Sequence, residues 1–212
     1  MDNREYIDKA KDILQTKTPR MAKEQLCSFV GKFIEDRQRY IKAYETGGSP
    51  LYLFDEQALT RKAKEFKEAF NSYLSKVRIF YALKSNSHPF LLGRLVKEGY
   101  GIDVSSGKEL EQALIQTPKK IIFSGPGKTL DELELACNDA DSVTVHLDSF
   151  GELHRLEEIA ERKNVRIKAG VRLMVEEKGL WRKFGIPLSE LSKFFNEAQK
   201  CLNIELCGLQ FH

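Results

Sequence analysis

The sequence has no Cys-x-x-Cys pair, no long apolar run and almost no net charge, and each absence removes a class of protein. Its four cysteines, Cys27, Cys137, Cys201 and Cys207, form neither a redox motif nor a zinc-ligand set, so reduced thiols are expected. The 34 basic residues nearly balance the 31 acidic ones, leaving +3, which argues against a nucleic-acid partner or an anionic membrane surface. No apolar stretch approaches the roughly 18 to 20 residues that cross a bilayer. Residues 1–11 are charged throughout and do not read as a signal peptide, so a cytoplasmic protein is expected. There is no Gly-x-Gly-x-x-Gly after a first strand, and Gly125-Pro126-Gly127-Lys128-Thr129 fails the spacing of a phosphate-binding P-loop. His146 and His154 have no partner at metal-ligand spacing, so no metal is expected. What remains is a 212-residue chain with 42% hydrophobic residues, enough for a sizeable core in one or two domains.

Residues 1–48 are highly charged, with apolar positions such as Leu26, Phe29, Val30, Phe33, Ile34, Tyr40, Ile41 and Tyr44 at helical spacing. One or two amphipathic helices are expected there, broken near Thr18-Pro19 and ended by Gly47-Gly48-Ser49-Pro50. This helical extension is expected to serve packing or dimer formation. From residue 49 to 212 the period changes to strand, polar turn, helix, repeated. Strands are expected at 51–54, 77–84, 101–105, 120–124, 142–147, 165–173 and 204–211. The helices between them are opened by residues such as Asp55 as an N-cap. Short apolar runs spaced by longer helices imply βαβ units and a parallel sheet, and about six units in series favour a (β/α)8 barrel over a doubly wound sheet.

Chemically capable residues fall at matching places in this pattern. Lys84, Asp103, Ser124, Asp148, Arg172 and His212 each sit at or just beyond the carboxyl end of a successive expected strand. In a parallel barrel those ends share one rim, so six functional groups would converge on one mouth. A lysine closing an apolar strand is a poor choice for stability, but partial desolvation would free its lone pair to attack a carbonyl.

The order of the segments resembles the pyridoxal-phosphate enzymes of the alanine-racemase-type barrel, and within them the diaminopimelate and ornithine decarboxylase family. The pieces are Pro50-Leu51-Tyr52-Leu53-Phe54-Asp55-Glu56, Tyr81-Ala82-Leu83-Lys84-Ser85-Asn86, Gly101-Ile102-Asp103-Val104-Ser105-Ser106-Gly107-Lys108-Glu109-Leu110 and Phe123-Ser124-Gly125-Pro126-Gly127-Lys128. They continue through His146-Leu147-Asp148-Ser149 with Glu152-Leu153, Lys183-Phe184-Gly185-Ile186 and Gly208-Leu209-Gln210-Phe211-His212. The resemblance implies that Lys84 holds pyridoxal 5'-phosphate as a Schiff base and acts as the catalytic residue. It implies that His212 stacks on the cofactor ring, that Arg172 lies near its phenolic oxygen, and that Asp103 pairs with Lys84. Ser124 and Asp148 carry over as rim groups or as groups behind the rim. The implied reaction is decarboxylation of a small-molecule amino acid, diaminopimelate first, then ornithine or lysine, by a homodimer. A racemase, or a non-catalytic homologue that keeps the barrel as a binding or regulatory module, are the alternatives.

In the family the phosphate-cradling glycine loop, the partner of the pyridine nitrogen and the groups donated across the dimer lie beyond the position matching His212. The chain is therefore expected to be a fragment, or to be completed by another segment or subunit, and to be inactive alone. Six parallel strands without closure would leave two edges with unpaired backbone groups.

Overall fold

The computed structural model describes residues 22–175 and 180–212, and the chain divides into two compact units between Phe54 and Asp55. Any helix before Thr18-Pro19 lies outside the described residues. In the first unit, α1 (Lys23–Glu35) and α2 (Arg37–Gly47) are separated by Asp36. The rings of Phe33 and Tyr40 stack at 4.3 Å and tie the two helices together. Leu26, Val30, Phe33 and Ile34 lie along α1 at helical spacing and are all exposed. Residues 51–54, expected as a strand, form none. A strand needs a neighbour to accept its backbone hydrogen bonds, and the sheet described below contains no pairing with this segment.

The second unit opens with α3 (Glu56–Asn71), whose N-cap Asp55 accepts a hydrogen bond from Ala58 N at 2.9 Å. Then follow β1 (Phe80–Ala82), α4 (Pro89–Lys97), β2 (Gly101–Val104), α5 (Gly107–Ile115), β3 (Ile121–Phe123), α6 (Leu130–Asn138), β4 (Val143–Leu147), α7 (Phe150–Lys163) and β5 (Ile167–Met174). A two-residue β6 (Ile186–Pro187), α8 (Leu191–Ala198) and β7 (Ile204–Gln210) complete the described elements. The long strand expected at 77–84 is cut to three residues, because the chain turns into a short 3-10 helix at Leu83–Ser85. Ser85 Oγ closes that turn on Ala82 O at 2.7 Å.

Every pairing is parallel and each of β1 to β4 lies beside the next in sequence, with β6 and β7 both flanking β5. A doubly wound sheet would reverse its strand order partway; this one does not, so the strands form an arc of a (β/α)8-type barrel. Burial alternates along β4 as buried, half-buried, buried, half-buried, buried. The buried set faces the helices: Ile102, Val104, Phe123, Val145 and Leu147 pack with Leu110, Leu133, Leu153 and Leu156 in one cluster, all inaccessible to solvent. Each such side chain contributes about 1.5–3 kcal/mol by leaving water. The other set, including Asp103, Ser124 and His146, is half-buried on the face away from the helices, and it carries the chemistry.

Candidate active site

The helix starts behind β2, β3 and β4 share one device. Ser106, Thr129 and Ser149 cap α5, α6 and α7, each accepting from the backbone of a glutamate three residues on. Those glutamates reach back to the loops: Glu109 takes Ser105 N at 2.8 Å, Glu132 takes Thr129 N at 2.9 Å, and Glu152 takes Asp148 N at 2.9 Å. Two of them also fasten the preceding loop, Glu132 through Gly107 N at 2.6 Å and Glu152 through Lys128 N at 3.0 Å. The loops at the carboxyl ends of the strands are thus tied to one another in series. Gly125 adds a close approach, since a Cβ there would stand 1.9 Å from Ser105 O.

On this rim five of the six expected residues line a single pocket of about 300 Å³: Lys84, Asp103, Ser124, Arg172 and His212. The sixth, Asp148, stands behind Arg172 and accepts from its Nη1 at 3.3 Å. A larger cavity of about 470 Å³ opens at the opposite end of the strands, among Lys67, Arg78, Tyr100 and Lys120. The amino-terminal face of such a sheet serves stability and the carboxyl-terminal face chemistry, so the smaller pocket is the candidate site.

Ser124 Oγ donates to Asp103 Oδ1 at 2.6 Å. Burial pushes the Asp103 carboxyl above its ordinary value, opposed by that hydrogen bond and by the nearby charges of Lys84 and His212. Burial likewise raises Asp148, with Arg172 the main opposing influence. Arg172 is 8% exposed, and its guanidinium lies over the Phe184 ring at 4.6 Å. Lys84 is exposed, so the desolvation expected of it is not supplied by its neighbours: β1 is flanked only by β2 among the described strands, and Lys84 sits on the turn beyond it.

Beneath the pocket lies a buried layer to which sequence reasoning assigned no role. Lys128, 3% exposed, pairs with Glu152, 1% exposed, at 3.3 Å and donates to His146 O at 2.6 Å. Burial lowers the Lys128 amine from its usual range, and Glu152 pulls it back up. His146 reaches across β5 at Gly170, where a Cβ would come within 2.7 Å of its ring. Burial, helped by the charge of Lys128, brings its pKa down to about 4. His146 Nδ1 and Gln210 Oε1 are the buried side-chain atoms without a hydrogen-bond partner among the described residues. The signal that could have exposed this layer is the thrice-repeated Ser/Thr-x-x-Glu spacing at positions 106, 129 and 149. No cluster of metal-ligating side chains occurs among the described residues, and no helix among them is long and apolar enough to cross a membrane.

Comparison with known proteins agrees with the geometry. The family model described as "pyridoxal-dependent decarboxylase, pyridoxal binding domain" matches residues 56–212. The diaminopimelate decarboxylase of Aquifex aeolicus is 33% identical over 180 residues, covering 79% of this chain and 42% of the relative. That of Campylobacter jejuni is 33% identical over 176 residues, 77% of this chain and 43% of the relative. Among solved structures, the diaminopimelate decarboxylase of M. jannaschii superposes with a TM-score of 0.73 at 27% identity, over 81% of this chain and 44% of that one. The Helicobacter pylori enzyme complexed with L-lysine gives 0.70 at 27%, over 82% and 46%. The chain spans less than half the length of these relatives. With the domain match covering 56–212 and its strands, turns and rim residues placed as described, the chain belongs to the pyridoxal-dependent decarboxylases, and this segment is their pyridoxal-binding domain.

Proposed function

We propose that the protein takes part in pyridoxal-phosphate-dependent decarboxylation of an amino acid, diaminopimelate before lysine or ornithine, and that Lys84 is its cofactor anchor. The observation that carries the reading is one pocket in which a primary amine, a carboxylate, a guanidinium and an imidazole meet: Lys84, Asp103, Arg172 and His212. These residues fit the cofactor's chemistry. An exposed amine can condense with an aldehyde, a buried guanidinium offers fixed charge to an anionic oxygen, and an imidazole offers a flat face. When bound, pyridoxal phosphate supplies the electron sink that accepts the pair left behind as the α-carboxylate departs.

The chain's own residues do the rest. Lys84 would hold the cofactor's aldehyde carbon, and its Nζ, when free, can hold or pass on a proton. Asp103 is the nearby carboxylate whose charge balances that ammonium, and Ser124 Oγ, at 2.6 Å, fixes its orientation. Arg172 is held by Asp148 on one side and Phe184 on the other, so its charge is oriented before any ligand arrives. His212 closes the pocket from the end of β7. Following the family resemblance, the proposal includes a cytoplasmic homodimer, with residues 1–48 as a helical extension that supports packing.

The test combines a spectroscopic titration with pyridoxal phosphate and carbon-dioxide release from diaminopimelate, lysine and ornithine, for the intact protein and Lys84→Ala. The native protein is expected to develop the bound-cofactor absorbance band and to release carbon dioxide fastest from diaminopimelate, and Lys84→Ala to lose both. A complete, folded protein with Lys84 intact and no band overturns the reading.

A further inference from the structure

The buried layer and the pocket are joined through one carboxylate. Glu152 Oε1 accepts from Lys128 N at 3.0 Å, and Oε2 accepts from both Lys128 Nζ at 3.3 Å and Asp148 N at 2.9 Å. Lys128 Nζ in turn holds His146 O at 2.6 Å. One side chain therefore grips the loop after β3 and the end of β4 together. Asp148 passes this constraint outward, since its Oδ1 is the acceptor for Arg172 Nη1 at 3.3 Å. That contact is long for a charged hydrogen bond, so its existence depends on where the Asp148 backbone stands. Arg172 has several rotamers to choose among and is held to one by Asp148 and the Phe184 ring.

We propose that Glu152 is a positioning residue of the active site: by pinning Asp148 N and both nitrogens of Lys128, it sets the direction in which Arg172 presents its guanidinium to the pocket. Only a carboxylate can do this, because it offers acceptors on both oxygens. The amide of glutamine would turn its NH₂ toward Lys128 N in one orientation and toward Asp148 N and Lys128 Nζ in the other, so in either it lets go of one of the two loops. The proposal rests on the cofactor reading of the pocket for its second readout and not for its first.

The first readout uses the intact protein without cofactor. In its ¹⁵N–¹H spectrum the Arg172 Nη1–H signal, assigned by its loss in Arg172→Lys, is expected to be sharp and slowly exchanging, because Nη1 is the donor to Asp148. In Glu152→Gln it should broaden and exchange with water on the order of tenfold faster, as loss of a hydrogen bond implies. An Arg172 signal unchanged in Glu152→Gln overturns the proposal. The second readout is pyridoxal-phosphate affinity in a double-mutant cycle with Arg172→Ala. Glu152→Gln should weaken binding about tenfold when Arg172 is present and have no further effect when it is absent. Equal weakening in both backgrounds means that Glu152 merely braces the fold, and it overturns the proposal. If the wild type binds no cofactor while the Arg172 signal still responds, the positioning role stands and the cofactor reading fails. Should Glu152→Gln fail to fold, Glu152→Asp keeps the charge beside Lys128 while withdrawing it from Asp148 N, and is scored on the same two readouts.

Discussion

Replacing Lys128 with methionine removes the ammonium and leaves the Glu152 carboxylate buried with its charge. The pair stands at 3.3 Å with side chains 1% and 2% exposed. At an effective dielectric near 20, two charges at that distance attract by about 5 kcal/mol, most of which offsets the cost of having desolvated both. What the variant loses is therefore set by the stranded partner, typically about 3–5 kcal/mol. Glu152 would still accept from the backbone nitrogens of residues 128 and 148, as it does now at 3.0 and 2.9 Å. That continued solvation by N–H groups places the expected loss at the lower end, about 3 kcal/mol. The double variant Lys128→Met with Glu152→Gln buries no charge and should recover about 1–2 kcal/mol of it. Urea denaturation monitored by circular dichroism measures both, with an unchanged m-value as the check on two-state comparison. A Lys128→Met protein within about 1 kcal/mol of the wild type would refute the reasoning, because it would mean that Glu152 reaches water or is uncharged.

His146 has a folded-state pKa of about 4, below the ordinary 6.5, so the folded protein favours the neutral ring. Its contribution is fully present above pH 6.5 and lost as the pH falls toward 4, amounting to about 3 kcal/mol across that window. His146→Phe should flatten the stability profile there; an unchanged difference from the wild type at pH 7 and pH 4.5 contradicts this. Gly125→Ala puts a methyl group where Ser105 O stands 1.9 Å away. It should cost about 1–3 kcal/mol in denaturant and weaken pyridoxal-phosphate binding, since both loops must move apart; a variant as stable as the wild type would show that the loops are not in contact.

Much of this architecture was legible because burial on a sheet alternates and the alternation is written in the residues. The run Val143-Thr144-Val145-His146-Leu147 predicts a strand with Val143, Val145 and Leu147 under the helices, and that is how it lies. The rim residues followed from strand ends alone, and Lys84, Asp103, Ser124, Arg172 and His212 do meet in one pocket. Three features were not legible. Residues 51–54 are apolar enough for a strand, but strand formation is a property of a pair, and no partner is present among the described strands. The exposure of Lys84 depends on what stands beside β1, which the local sequence does not encode. Lys128 follows Gly125-Pro126-Gly127, a turn in which a lysine is expected to reach solvent. It is buried instead because Glu152, from a helix 24 positions later, supplies the counter-charge.

The most direct test of the account is to reduce the protein with borohydride in the presence of pyridoxal phosphate, digest it, and locate the modified lysine by mass spectrometry. A phosphopyridoxyl group on Lys84, absent from Lys84→Ala and displaced by added diaminopimelate before reduction, is the predicted result. Modification of other lysines with Lys84 left free would contradict it.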